Sequence, residues 1–190
     1  MYKLKKYLFA VFLCSVVQAG FSQAAIPPLD KSPMDMCYYP VNYPVLKIQK
    51  KLDDPLVARV IYGRPQKNGR NIFGDLVPYD IVWRAGANEA TEIEFFRDVK
   101  IDGKKLSKGR YTLYAIPSTD KWVIVLNKET DTWGAFGYDD KKDVLRTDVA
   151  VETRPDVIEV FTICFEGTEK NKTDLMIGWD NKDVRLPISW

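Results

Sequence analysis

The clearest fold signal in the chain is the segment TEIEFFRDVKI, residues 91–101. Its apolar side chains recur at every second position on one face and its charged side chains face the other way; the apolar set is Ile93, Phe95, Val99 and Ile101. Period-two alternation is typical of a β-strand with one buried face. Asp102-Gly103 follows directly and favours a tight turn into another strand. The segment therefore predicts an antiparallel β-sheet.

Similar short segments follow one another along the chain and indicate the fold class. Further strands are predicted over residues 57–62, 110–116, 121–127, 145–151, 157–165, 173–179 and 183–188. The last two are predicted to form a hairpin across Asp180-Asn181-Lys182. About eight strands separated by turn residues predict an all-β fold, an antiparallel β-sandwich or jelly roll. A closed β-barrel is the alternative.

The first 24 residues predict a cleaved secretory signal peptide. Three lysines precede an apolar run over residues 7–17, and Ser22-Gln23-Ala24 offers small residues where a signal peptidase cuts. The run is shorter than the ~20 apolar residues that span a membrane, so no membrane insertion is expected after cleavage. Residues 25–54, rich in proline and tyrosine, predict an extended arm, and residues 55–190 the β-sandwich domain. We expect a periplasmic or secreted protein.

Composition excludes several classes of function. The chain carries 28 basic and 26 acidic residues, and removal of the three signal lysines leaves a formal charge of −1. A nearly neutral protein without a basic stripe is not expected to bind nucleic acid. The chain contains no histidine, which excludes Ser-His-Asp triads, Cys-His pairs and His-ligated zinc. No acidic segment has the spacing of a calcium loop, so neither a metal nor a cofactor is predicted.

Two cysteines remain after signal cleavage, Cys37 and Cys164. In an oxidising compartment they are a candidate disulfide pair. Alternatively, Cys164 is a small buried side chain of its strand and Cys37 an isolated thiol in the arm. Spacing alone leaves both alternatives open, because it does not determine the distance between the two Cα atoms.

Two connections, residues 63–90 and 128–144, are longer than a compact sandwich requires. Long loops on a rigid scaffold often carry the binding site. Arginine forks, aromatic faces, amides and carboxylates together suit a polar ligand such as a sugar. The candidate ligand-binding residues are Arg64, Arg70, Trp83, Arg84, Asn88, Glu89, Trp133 and Tyr138. Alternatively, Arg84 pairs with Glu89 and the tryptophans anchor the loops, in which case the same residues are structural.

The composition favours a non-enzymatic binding or structural module over an enzyme. The alternative is a hydrolase that acts on envelope or extracellular carbohydrate through two carboxylates. Asp75 and Glu89 are the best available pair, since both lie in the first long connection. No spacing in the chain demands a reaction geometry, so no catalytic residue is assigned.

Several segments resemble one bacterial family, the domain of unknown function numbered 2911. The matching segments are YGRP (62–65), GRNIFG (69–74), VWRAGANEAT (82–91), DGKKL (102–106), GRYTL (109–113) and WGA (133–135). The resemblance covers roughly residues 55–188. It implies an exported bacterial protein of all-β fold without an assigned activity, and it offers no catalytic residues to carry over.

Overall fold

The computed structural model describes residues 25–167 and 169–190, so the predicted signal peptide lies outside the described residues. The strands are β1 (Met34–Tyr39), β2 (Ala58–Gly63), β3 (Glu92–Phe95), β4 (Val99–Ile101), β5 (Lys104–Leu106), β6 (Gly109–Pro117), β7 (Lys121–Asn127), β8 (Asp143–Glu166) and β9 (Lys172–Ser189). One short helix, α1, spans Tyr43–Ile48, and a single 3-10 turn spans Asp140–Lys142. The all-β prediction is confirmed.

The strands form one open antiparallel sheet in the order β1-β2-β3-β6-β7-β8-β9-β4-β5. The two longest strands, β8 and β9, connect its two halves. The first part of β8 pairs with β7, and its second part pairs with β9. This change of partner turns the sheet over on itself, so that two layers face each other as in a β-sandwich.

Aromatic side chains show directly how the two layers meet. Tyr39 at the end of β1 contacts Phe165 of β8, with ring centroids 5.9 Å apart. The Tyr62 ring of β2 lies 5.8 Å from that of Phe161, and its hydroxyl donates a 3.0 Å hydrogen bond to the Ile163 carbonyl. Strands β1 and β2 therefore pack against the second part of β8, although these strands are far apart in the sheet order.

The main core lies between the layers, and its centre is a cluster of large rings. Trp83 packs between Trp122, Phe161 and Trp179, with centroid distances of 6.1, 5.2 and 6.2 Å. Trp122, Phe161 and Trp179 are each at most 1% exposed. Edge-to-face ring pairs contribute about 0.5–1.5 kcal/mol each beyond their buried area. Trp83 belongs to the first long connection, so this cluster ties that connection to the core.

A second, smaller apolar cluster lies apart from the main core. It is built on Tyr114 of β6 and Val125 of β7, both almost fully buried, and on Ala90. Ala135 and Tyr138 pack onto it from the second long connection. Both long connections are therefore held on the sheet by apolar burial, which is why β6 and β7 are buried on both faces.

The predicted hairpin at residues 180–182 is wrong, because β9 runs through this position as one strand. Asp180 has a positive φ of 55°, and the register of β8 against β9 shifts opposite this region. The turn-like residues thus form an irregularity within a strand rather than a reversal of the chain. The predicted strands 145–151 and 157–165 are likewise parts of the single strand β8.

The alternating segment 91–101 forms two strands, β3 and β4, rather than one. Arg97 stands where the alternation requires an apolar side chain, and it is exposed. At this point the chain leaves the neighbours of β3 and joins β5 and β9. The tight turn predicted at Asp102-Gly103 links β4 to β5, and both residues have positive φ.

The predicted arm contributes more to the fold than an extended surface segment. Residues 34–39 form the edge strand β1, paired with β2 over its full length. Pro33 and Pro40 stand at either end of it, and an edge strand tolerates proline at these places because one side of its backbone needs no partner.

Candidate functional site

The segment from Trp83 to Thr91 crosses the sheet and shapes two clefts. Trp83 exchanges backbone hydrogen bonds of 2.8 and 2.9 Å with Ala115 of β6. The Thr91 hydroxyl donates a 2.6 Å hydrogen bond to the Ala85 carbonyl. A Cβ on Gly63 would lie below 3.0 Å from the Ala87 carbonyl oxygen. Only glycine at the end of β2 permits the Ala87 backbone to come this close to the strand. We name residues 83–91 the crossing segment.

The second long connection lies beside the crossing segment, as its predicted role in a shared site requires. The backbone N–H of Gly134 donates to the Asn88 carbonyl at 2.9 Å, and that of Ala90 donates to the Thr132 carbonyl at 3.0 Å. Glu89 and Trp133 are bridge partners. The two connections are therefore joined by backbone hydrogen bonds along the edge of a cleft.

The first cleft has a volume of about 410 Å³ and lies where the two connections meet; we name it the Trp133 cleft. Its principal lining residues are Met34, Ile61, Glu89, Glu92, Asp131 and Trp133. The Trp133 side chain is 60% exposed, in contrast to the buried tryptophans of the core.

Three carboxylates line the Trp133 cleft, and two of them share one guanidinium. Arg110 lies 3.4 Å from Glu92 and pairs with Asp131. The Asp131 backbone N–H also donates to Glu92 at 2.6 Å. Glu89 has no ion-pair partner among the described residues. It is the carboxylate in this cleft that is left for a ligand.

The second cleft, which we name the Arg84 pocket, has a volume of about 380 Å³. Trp83 and Trp179 form its floor, stacked at 6.2 Å. Polar lining comes from Ser32, Arg70, Arg84 and Asn88. No acidic residue of the described chain lines it.

Arg84 has neither an ion pair nor a side-chain hydrogen bond within residues 25–167 and 169–190. Its Nε atom is buried and without a partner. Burial lowers the pKa of the Arg84 guanidinium, because desolvation disfavours the charged form. Arg70 is anchored instead, since its Nε donates to the Lys67 carbonyl at 2.9 Å and another of its nitrogens donates to Gln66.

The structure divides the eight candidate residues into three groups. Arg70, Trp83, Arg84 and Asn88 line the Arg84 pocket. Glu89 and Trp133 line the Trp133 cleft. Arg84 and Glu89 therefore face different clefts, and the internal pair considered from the sequence is not formed. Asp75 lines a third cavity, away from Glu89, so these two carboxylates do not form a catalytic pair.

The remaining two candidates, Arg64 and Tyr138, hold the fold together. Arg64 joins the layers: its Nη1 pairs with Asp35 at 2.8 Å, and its Nε donates to the Phe161 carbonyl at 3.1 Å. Tyr138 packs edge-on against Tyr114 at 5.1 Å and donates to Asp143 at 2.6 Å. Burial raises the pKa of Tyr138 to about 12.

Sequence reasoning missed Met34, Glu92 and Asp131 in the Trp133 cleft and Trp179 in the Arg84 pocket. Glu92 belongs to the polar face of the alternating segment, and alternation alone does not say which polar side chains a loop will cover. Met34 lies in the predicted arm, which the sequence does not place next to either long connection. The lining contributed by β1 and β9 depends on which strands become neighbours.

Cys37 and Cys164 are free thiols in the structure. Burial raises the pKa of Cys37 to about 12, and the nearby Cys164 adds to this effect. Burial also raises the pKa of Cys164. Cys37 belongs to β1 and Cys164 to the part of β8 that packs against β1 across the layers, and their pairing under oxidising conditions stays a prediction.

The described residues contain neither a membrane-spanning helix nor a cluster of metal ligands. No helix in this part of the chain has the length and apolar character needed to cross a membrane. Nor do three or more cysteine or acidic side chains in it come together in a geometry suited to a metal ion.

Comparison with known proteins gives one family. The family model described as a protein of unknown function, DUF2911, matches residues 44–188. No match is found among curated proteins or among solved structures. The matched region contains both long connections and strands β2 to β8 in full, which confirms the resemblance noted from the sequence. The chain belongs to the DUF2911 family.

Proposed function

We propose that this chain is an exported, non-enzymatic binding module that holds carbohydrate in the Trp133 cleft. The proposal rests chiefly on one observation, the exposed indole of Trp133 at a concave site lined by carboxylates. An aromatic ring offers an apolar surface to the face of a sugar ring, while carboxylate oxygens accept hydrogen bonds from its hydroxyls. Export rests on the predicted signal peptide and leads to a periplasmic or secreted location.

Rigidity of the site supports the proposal. Trp133 lies between two backbone hydrogen bonds that join its loop to the crossing segment, at Thr132 and at Gly134. The same loop is fastened further on by Ala135 and Tyr138 in the smaller apolar cluster. A loop backbone held in this way loses little freedom on binding, so less of the interaction free energy is spent on ordering the loop.

The second candidate is a glycoside hydrolase that uses carboxylates of the same cleft. Three acidic side chains in one cavity favour it, since the reaction needs two carboxyl groups. Arg110 engages both Glu92 and Asp131, however, so of the three carboxylates in this cleft only Glu89 has no ion pair within the described part of the chain. One free carboxylate supports binding better than a two-carboxylate reaction.

A glycan array followed by titration calorimetry tests the proposal. Trp133→Ala should weaken binding of any glycan hit by at least about tenfold, because tryptophans in binding sites commonly contribute about 2 kcal/mol. Phe136→Ala is the matched control: Phe136 is 90% exposed on the same loop and does not line the cleft. It should bind as the wild type does.

Absence of any glycan hit, or equal losses in the two variants, would contradict the proposed carbohydrate site. Release of reducing sugar by the wild type, abolished in Glu89→Gln, would establish the hydrolase instead.

A further inference from the structure

We infer that the Arg84 pocket is a binding site for the carboxylate group of a small organic acid. This site is separate from the Trp133 cleft and does not depend on the carbohydrate proposal. Its basis is a half-buried guanidinium that no group of the described chain satisfies.

An unpaired, partly buried arginine is unusual in a folded protein. Buried charges are normally paired, since removal from water costs several kcal/mol unless an opposite charge or hydrogen bonds compensate. Neither of two nearby carboxylates is left for this arginine: Asp35 pairs with Arg64, and Asp180 pairs with Lys67 at 3.0 Å. The protein thus leaves Arg84 to be compensated by a group from outside.

The charge of the pocket indicates that the external group compensating Arg84 is an anion. The charged lining of the pocket consists of Arg84 and Arg70 alone, without an opposing carboxylate in the described chain. Asn88 and Ser32 add an amide and a hydroxyl, which are able to donate hydrogen bonds to a ligand oxygen. Two guanidinium groups in a concave site with a low-dielectric floor attract an anion.

The floor and the volume identify the kind of anion. Trp83 and Trp179 give the pocket aromatic lining, and Leu76 and Val77 add further apolar surface. A volume of about 380 Å³ suits a small organic molecule and exceeds what an inorganic ion fills. The guanidinium fork matches the two oxygens of a carboxylate. A ligand with a carboxylate at one end and a ring or apolar body at the other satisfies both parts of the pocket.

Titration calorimetry on the purified protein, with tryptophan fluorescence as a second readout, tests this inference at constant ionic strength. The probes are benzoate, cyclohexanecarboxylate, inorganic phosphate and the neutral analogue benzamide. We expect the two carboxylates to bind at least about tenfold more tightly than benzamide and phosphate, because a charge-assisted hydrogen bond contributes more than a neutral one. Fluorescence should respond since Trp83 and Trp179 form the floor.

Arg84→Met should weaken carboxylate binding by at least about tenfold. The matched control is Arg97→Met, which removes an exposed arginine that does not line the pocket and should leave binding unchanged. Arg84→Met should also keep or raise the urea midpoint, because it removes an uncompensated charge from a partly buried place.

Three results would overturn the inference. Phosphate bound as tightly as the carboxylates would reject the organic acid. Equal binding of benzoate and benzamide would show that charge is not recognised. A large fall in the urea midpoint of Arg84→Met would identify Arg84 as a structural residue. The comparison of benzoate with benzamide uses the wild type alone, so it stands even if the variant does not fold.

Discussion

Replacement of Gly63 by alanine tests whether the close seating of the crossing segment on β2 shapes both clefts. The new Cβ would lie below 3.0 Å from the Ala87 carbonyl oxygen and 3.2 Å from its carbonyl carbon. The obstacle is backbone rather than the flexible end of a side chain. The crossing segment must therefore move away from the sheet.

The movement lowers the free energy of unfolding in two ways. Overpacking a tight contact costs about 1–3 kcal/mol. Displacement also strains the 2.6 Å hydrogen bond from Thr91 to Ala85 and the 2.9 Å bond from Gly134 to Asn88. Each of these contributes about 0.5–1.5 kcal/mol if lost. We therefore expect Gly63→Ala to lower the free energy of unfolding by about 2–6 kcal/mol.

Urea unfolding followed by intrinsic fluorescence measures this loss. With an m-value of about 2 kcal/mol/M, the midpoint should fall by about 1–3 M. Gly137→Ala is the matched control, because its new Cβ would meet nothing within 4 Å and Gly137 is not among the residues with positive φ. That variant should stay within about 0.5 kcal/mol of the wild type or gain slightly.

Binding at the two clefts gives a second readout, since the crossing segment borders both. Gly63→Ala should weaken ligands of the Trp133 cleft and of the Arg84 pocket together. A variant within about 0.5 kcal/mol of the wild type, and with both affinities intact, would refute the argument that this backbone contact holds the site.

Two further predictions concern the interface between the layers. Burial raises the pKa of the Tyr62 hydroxyl from an ordinary 10.0 to about 12. The stability that the protonated hydroxyl contributes is therefore complete below pH 10 and is lost as the pH rises through about 12. The loss is on the order of 2–3 kcal/mol. In Tyr62→Phe the free energy of unfolding, measured in urea, should lack this decrease at alkaline pH. The same decrease in the variant as in the wild type would contradict this prediction. Oxidation should join Cys37 to Cys164 in a disulfide, and a reductant should reverse it. Because the bridge spans 127 positions, it should raise the free energy of unfolding by up to about 5 kcal/mol. Mass spectrometry would detect the loss of two hydrogens, whereas two thiols that still alkylate after oxidation would refute the pairing.

Local patterns predicted much of the strand content because alternation reports burial one residue at a time. The predicted strand 121–127 coincides with β7, and residues 110–116 lie within β6. The same reasoning failed at Asp180-Asn181-Lys182, where turn-forming residues sit inside β9. A residue that favours positive φ serves a hairpin and a strand irregularity equally well, and only pairing with β8 decides between them.

The candidate site shows a similar division. Sequence reasoning selected Arg84 and Trp133 from their chemistry, and each lines a cleft. It selected Arg64 and Tyr138 for the same chemistry, yet their polar atoms are consumed by contacts such as Arg64 with Asp35 and Tyr138 with Asp143. Residue type predicts what a side chain is able to bind, but the partners that it finds in the fold decide whether it is free to do so.

The sequence by itself determined the all-β class, the absence of histidine chemistry, the family and the two long connections, because these depend on composition, local periodicity and length. Only the tertiary structure decided that Glu89 and Arg84 face separate clefts and that Arg84 has no partner in the described chain. Whether a charge is compensated depends on groups brought close by folding, and those groups come from strands far apart along the chain. The unsatisfied guanidinium is therefore a property of the fold, although the arginine itself is visible in the sequence.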